Sequence, residues 1–151
     1  MLRLLFIAML FPLCSISQID QFYGTYFMGN MNEEMQLVVP YNCWTELVDE
    51  VAINETGDPN LPLELVFNSF HAEALYGFAK PTADSTTILE LINPDAETVE
   101  VRTFILSAYS DGIVVLSEEN AEVSYFLVQV GRDDLYTLIP CPEEEYEVEE
   151  R

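Results

Sequence analysis

The residue types that most often carry catalysis are scarce or scattered in this chain. It has one histidine, His71, with no second histidine and no nearby cysteine to complete a metal site around it. A Ser–His–Asp triad would have to run through that one imidazole, and no nucleophile-elbow sequence leads into a helix. Glycine-rich phosphate cradles of the Gly-x-Gly-x-x-Gly or P-loop type do not occur. Carboxylates are abundant, 27 Asp and Glu against 5 Lys and Arg. Two of them facing each other across a cleft could act as general acid and base. At this density, however, chance pairs are expected and no spacing singles one out. The spaced Asp-x-Asp-x-Asp-Gly ligands of a calcium loop are missing too. The expectation is a protein that binds and does not catalyse, with neither metal nor cofactor.

Binding has better candidates. Tyr76 and Phe78, Phe104 and Leu106, and Tyr125 and Leu127 each stand two residues apart, so each pair shares one face of a strand. Apolar and aromatic linings of this kind make ligand pockets. The same side chains could equally fill a closed core, and one sequence does not fix which alternate face points inward. A carboxylate such as Glu46 or Glu73 turned inward would favour a cationic amine over a neutral hydrophobic molecule. The formal net charge of −22 excludes ordinary nucleic-acid binding and disfavours anionic membrane surfaces. It serves solubility and leaves a basic protein or an amine as the charged partner that would be attracted.

Residues 1–17 have the three parts of a secretory signal peptide in order: Arg3, an apolar stretch over 4–13, and the small-x-small run Ser15-Ile16-Ser17. No segment reaches the ~20 apolar residues a membrane-spanning helix needs. A secreted, extracellular product beginning at Gln18 follows. Cys14 leaves with the signal, so Cys43 and Cys141 remain with one possible connectivity, the alternative being two free buried thiols. Asn54-Glu55-Thr56 is a glycosylation sequon in a predicted exposed loop. Residues 143–151 have no face to bury and read as a solvated, disordered acidic tail. The folded domain is therefore expected over 18–142.

Those residues show strand signals throughout, with short alternating runs broken by Gly, Pro, Asn and Asp. Eight strands are predicted, at 22–28, 35–53 (one long strand bent at Pro40), 63–68, 72–80, 87–92, 98–108, 113–117 and 122–132. Their short connections favour an antiparallel up-and-down meander. Eight strands in such a meander remove their edges completely by closing into a barrel, which encloses room for one small ligand. A two-sheet sandwich is the structural alternative. The expected class is all-β, with no long helix.

The order of the motifs resembles the lipocalin family, most nearly its apolipoprotein D-like branch. Gly24-Thr25-Tyr26 is similar to the Gly-x-Trp that opens the family's first strand, with Tyr in place of Trp. Cys43 with Cys141-Pro142 is similar to its bridge between an early strand and the C-terminal segment. Gly77 to Pro81 with Thr87 to Leu91 looks like the fourth and fifth strands, and Phe104 to Leu106 with Tyr109 to Leu116 like the sixth and seventh. Phe126 to Arg132 looks like the eighth, whose closing Arg packs across the aromatic of the first strand. The resemblance thus implies an eight-stranded barrel carrying a small hydrophobic molecule, with Arg132 over Tyr26. The stretch between Arg132 and Cys141 is too short for the helix that covers one wall in this family, so that wall is expected bare.

Overall fold

The computed structural model describes residues 18–69 and 72–142. The segments read as signal peptide and acidic tail, and His71, lie outside the described residues. Alternation of apolar and polar residues produces eleven strands: β1 (Gly24–Met31), β2 (Leu37–Asn42), β3 (Leu47–Val48), β4 (Glu50–Glu55), β5 (Leu63–Asn68), β6 (Glu73–Pro81), β7 (Thr86–Ile92), β8 (Val101–Ser110), β9 (Ile113–Glu118), β10 (Ser124–Gln129) and β11 (Thr137–Ile139). Eight of them, β1 and β4 to β10, pair antiparallel in sequence order. β10 closes on β1 through the register Met28 to Leu127, which makes a barrel with no open edge.

The inward parity is set by burial. Val51 and Ile53, Leu63 and Leu65, Leu89 and Leu91, and Leu106, Leu116 and Leu127 are at most 2% exposed and face one another across the interior. Phe22, on a single 3-10 turn (Asp20–Phe22), plugs one end together with Ile19. Tyr26 is buried above it, and its hydroxyl donates to the Phe22 carbonyl at 2.8 Å, so the first-strand aromatic ties the plug to the barrel. Gly24 opens β1 at φ 149°, a conformation that side-chain-bearing residues rarely adopt. Leucine and isoleucine dominate the packing of this lower half. Thr87 is fully buried among them, and its hydroxyl lacks a hydrogen-bond partner.

Two expectations change. The predicted single strand over 35–53 is three strands, because the chain reverses after Asn42 rather than bending at Pro40. The Asn42 carbonyl accepts from the backbone N–H groups of Thr45 and Glu46, its side chain accepts from Trp44 N–H, and Glu46 takes φ 56°. Pro40 stays inside β2, opposite Ile139 of β11.

The wall expected to be bare is covered. β2 and β11 pair in parallel outside the barrel, and Leu37, Val39, Leu135 and Tyr136 pack on Phe27, Phe126, Val128 and Ile113, which point outward from β1, β9 and β10. Tyr136 meets Phe27 edge-on at 5.9 Å. A small satellite sheet thus covers this wall. The Cys43–Cys141 disulfide, with Cα atoms 5.5 Å apart, fastens the β2–β3 turn to the end of β11.

Candidate functional site at the barrel mouth

At the end opposite the Phe22 plug, the inward positions turn from aliphatic to aromatic and charged. Leu91 of β7 pairs with Arg102 of β8, Phe104 with Glu118 of β9, and Phe67 of β5 with Glu73 of β6, so each charged residue continues an inward-facing series by one step of two. Met28, Asp49, Phe67, Ser69, Glu73, Arg102, Phe104, Glu118 and Tyr125 surround a cleft of about 370 Å³. Its floor is Phe104, 1% exposed and tilted against Phe67 with ring centroids 6.2 Å apart.

Arg102 organises the charge. Its Nε and Nη2 donate to the two carboxylate oxygens of Glu118 at 2.7 and 3.0 Å, and Nη1 donates to Glu73 at 2.8 Å. Its guanidinium carbon lies 5.1 Å from the centroid of the Phe104 ring, a cation–π distance. The hydrogen bonds Arg102 donates to Glu118, ahead of the one it donates to Glu73, hold the guanidinium above its already high range despite partial burial. Reciprocally, Arg102 holds the Glu118 carboxyl below the usual carboxylate range. Arg102 is therefore spent on its neighbours. Asp49, Glu73 and Glu118 against one arginine leave the mouth net negative. A second cleft, of about 480 Å³, adjoins across Asp49 and Ser69, between the β2–β3 hairpin and the barrel rim. Asp49 also accepts from the Asn42 amide at 2.9 Å, which anchors that hairpin.

Of the residues predicted to line a ligand pocket, Phe104 and Tyr125 border the cleft, and Leu106 and Leu127 are fully buried deeper in the barrel. Tyr76 and Phe78 point the other way. Gly77 is the inward residue of β6, opposite Leu63 and Leu91, so its neighbours face out. Phe78 is 45% exposed, and Tyr76 bonds to Glu64 on the outer surface, which raises its phenol above the ordinary value. Glu73 faces the mouth as the amine reading required, whereas Glu46 is exposed in the β2–β3 turn.

Arg132 does not sit over Tyr26; it pairs with Asp111 and Asp134 at 3.0 and 3.1 Å. Asn54 lies within β4, its amide donating to Glu64 at 3.0 Å, and not in a loop. Arg102, Glu118, Asp49, Phe67 and Met28 were not singled out from sequence. A charged residue two positions before Phe104, or two after Leu116, was the available signal.

No known protein family, no curated protein and no solved structure matches this chain. Its eight-stranded antiparallel barrel is consistent with a lipocalin-like fold. Among the described residues there is no group of three His, Cys, Asp or Glu placed to hold a metal ion, and no helix long and apolar enough to cross a membrane.

Proposed function

We propose that the protein is a secreted, lipocalin-like binding protein, nearest in kind to the apolipoprotein D-like branch, that holds a small hydrophobic molecule in the mouth of its barrel. The observation that carries this reading is the half-open cleft walled by Met28, Phe67, Phe104 and Tyr125, the one end of the barrel where the interior is not filled by aliphatic side chains. The signal-like residues 1–17 and the Cys43–Cys141 bridge support an oxidising, extracellular setting. Binding there is transport or sequestration without turnover. The Asn54-Glu55-Thr56 sequon is of the kind glycosylated in that setting.

A second reading follows from the carboxylates: the ligand carries an amine. Asp49 and Glu73 keep acceptor oxygens beyond those bound to Asn42 and Arg102, so an ammonium group at the rim meets charge that the protein itself leaves unbalanced.

Both are tested by displacement titrations on the disulfide-bonded chain, with an environment-sensitive fluorescent fatty acid and a fluorescent amine as probes. Phe67→Ala should weaken whichever probe binds. Asp49→Asn should weaken only the amine. A protein that ignores both probes and carries no small molecule in native mass spectrometry defeats the proposal.

A further inference from the structure

At the rim, strands β1 and β5 send alternate residues inward and outward. Met28 and Phe67 face the mouth, whereas their neighbours Phe27 and Asn68 line the second cleft outside it. Phe27 pairs with Glu50, and Glu50 with Asn68, so the three stand side by side in one outward row across β1, β4 and β5. The β2–β3 hairpin walls the other side. Its cross-strand pair Tyr41 and Val48, with Leu47, completes a cleft of about 480 Å³. That volume lies in the range of small-molecule sites. Its apolar walls are left to solvent, with Tyr41 36% and Leu47 66% exposed.

Charge selects the occupant. Asp49, at the break between β3 and β4, and Glu50, which opens β4, are the charged residues of this cleft. The cations among the described residues are committed elsewhere: Lys80 to Glu90, Arg102 to Glu73 and Glu118, and Arg132 to Asp111 and Asp134. Asp49 accepts from the neutral Asn42 amide, which leaves its charge unbalanced, and Glu50 has no ion-pair partner among the described residues. An anionic ligand is repelled here, and a neutral one gains burial alone. A cation with an apolar arm gains twice. Its ammonium group meets two carboxylates, and its arm lies among Phe27, Tyr41 and Val48, where aromatic faces also attract the cation.

We propose that this outer cleft is a second binding site, one that takes a small arylalkylammonium ion. Phe67, Phe104 and Tyr125 line the mouth and not this cleft, so the site stands or falls independently of a hydrophobic ligand in the mouth.

The test is a methyl NMR titration of the full disulfide-bonded chain with phenethylammonium, and with phenethyl alcohol as its neutral counterpart. The Leu47 and Val48 methyl signals should move saturably while that of Met28 stays, and the affinity should fall as salt rises. The alcohol should bind about fivefold more weakly or not at all. Glu50→Gln should weaken the ammonium about threefold or more, whereas Glu97→Gln, which removes the same charge from an exposed turn, should not. Phe67→Ala should leave this binding unchanged. No saturable shift, equal binding of the alcohol, or equal loss from Glu97→Gln overturns the proposal. Loss on Phe67→Ala with movement of the Met28 methyl also overturns it, because the ammonium then sits in the mouth and only the mouth reading survives.

Discussion

Arg102→Met is the most informative perturbation of the mouth, because it removes one charge from between two carboxylates while keeping an unbranched apolar stem over Phe104. Three charge-assisted hydrogen bonds are lost, two to Glu118 and one to Glu73. Their side chains are about a quarter to a third exposed, 26% for Glu118, 33% for Arg102 and 34% for Glu73, so solvent screens part of the interaction. Breaking a fully buried pair costs roughly 3–5 kcal/mol and an exposed one under about 1 kcal/mol, which brackets this site near ~1–2 kcal/mol. With a urea slope of about 1–3 kcal/mol per molar, the unfolding midpoint should fall by roughly 0.3–2 M at pH 7.

The pH dependence gives the sharper reading. Arg102 depresses the Glu118 carboxyl in the folded state, so its contribution is fully present above the unfolded value of about 4.3 and is lost as pH falls through the lower folded value. The stability gap between wild type and variant should therefore be constant from pH 7 to about 5 and shrink progressively below about 4.3. Midpoints measured by urea titration at several pH values check this. A gap that stays the same down to pH 2.5 would show that Arg102 stabilises through its cation–π contact with Phe104, and the ion-pair argument would fail.

Gly77→Ala should destabilise by at least ~1–3 kcal/mol, since an added Cβ would stand 2.0 Å from the Glu90 carbonyl oxygen and 3.1 Å from Leu91 Cα, both of them backbone atoms of β7. Thermal or urea unfolding reads it, and a neutral result would mean that β6 and β7 are farther apart than described. Thr87→Val replaces a buried hydroxyl that has no partner with a methyl of like shape, and should be neutral or stabilising by up to about 1–3 kcal/mol in the same assay. Cys43→Ser with Cys141→Ser opens a closure spanning 98 positions, for which the loop-entropy model gives roughly 4–5 kcal/mol. Because β11 has three residues and one pairing partner, much of that loss should appear locally, as faster hydrogen exchange at Thr137–Ile139 with barrel strands still protected. Uniform loss of protection across β4 to β8 would count against that division.

The period-two pattern made the barrel strands legible, because burying one face of a strand forces alternation whatever the family. It could not set the parity of β6, where Leu75 and Ala79 compete with Tyr76 and Phe78 as candidate inward residues. The deciding residue was Gly77. Its missing side chain lets β6 approach β7 at Glu90 and Leu91, a tertiary constraint invisible from β6 alone. The β2–β3 hairpin was missed for a related reason. Its turn contains no glycine, and Glu46 takes the positive φ that glycine or asparagine usually fills. At the mouth, aromatic content pointed to Phe104 and Tyr125, but the charged residues among them were dispersed among the chain's many acids. Only the register, which sets Arg102 across from Leu91 and Glu118 across from Phe104, separates them from the solvated surface.

The filled lower barrel limits how a ligand can bind. Below Phe104 the core is mainly leucine and isoleucine, with Val51, Tyr26 and the Phe22 plug, so an occupant of the mouth cleft meets its apolar area on Met28, Phe67, Phe104 and Tyr125. A molecule that buries ~200 Å² of apolar surface there gains about 5 kcal/mol at ~25 cal/mol per Å², which corresponds to sub-millimolar dissociation. Tighter binding has to draw on the rim, where the carboxylates outnumber the one arginine. Affinity above that apolar ceiling should therefore depend on ligand charge and fall as salt rises over the ~8–10 Å range of physiological screening. A long neutral lipid bound tightly and without salt dependence would require the leucine layers to part, and would show the barrel to be more open in solution than this packing allows.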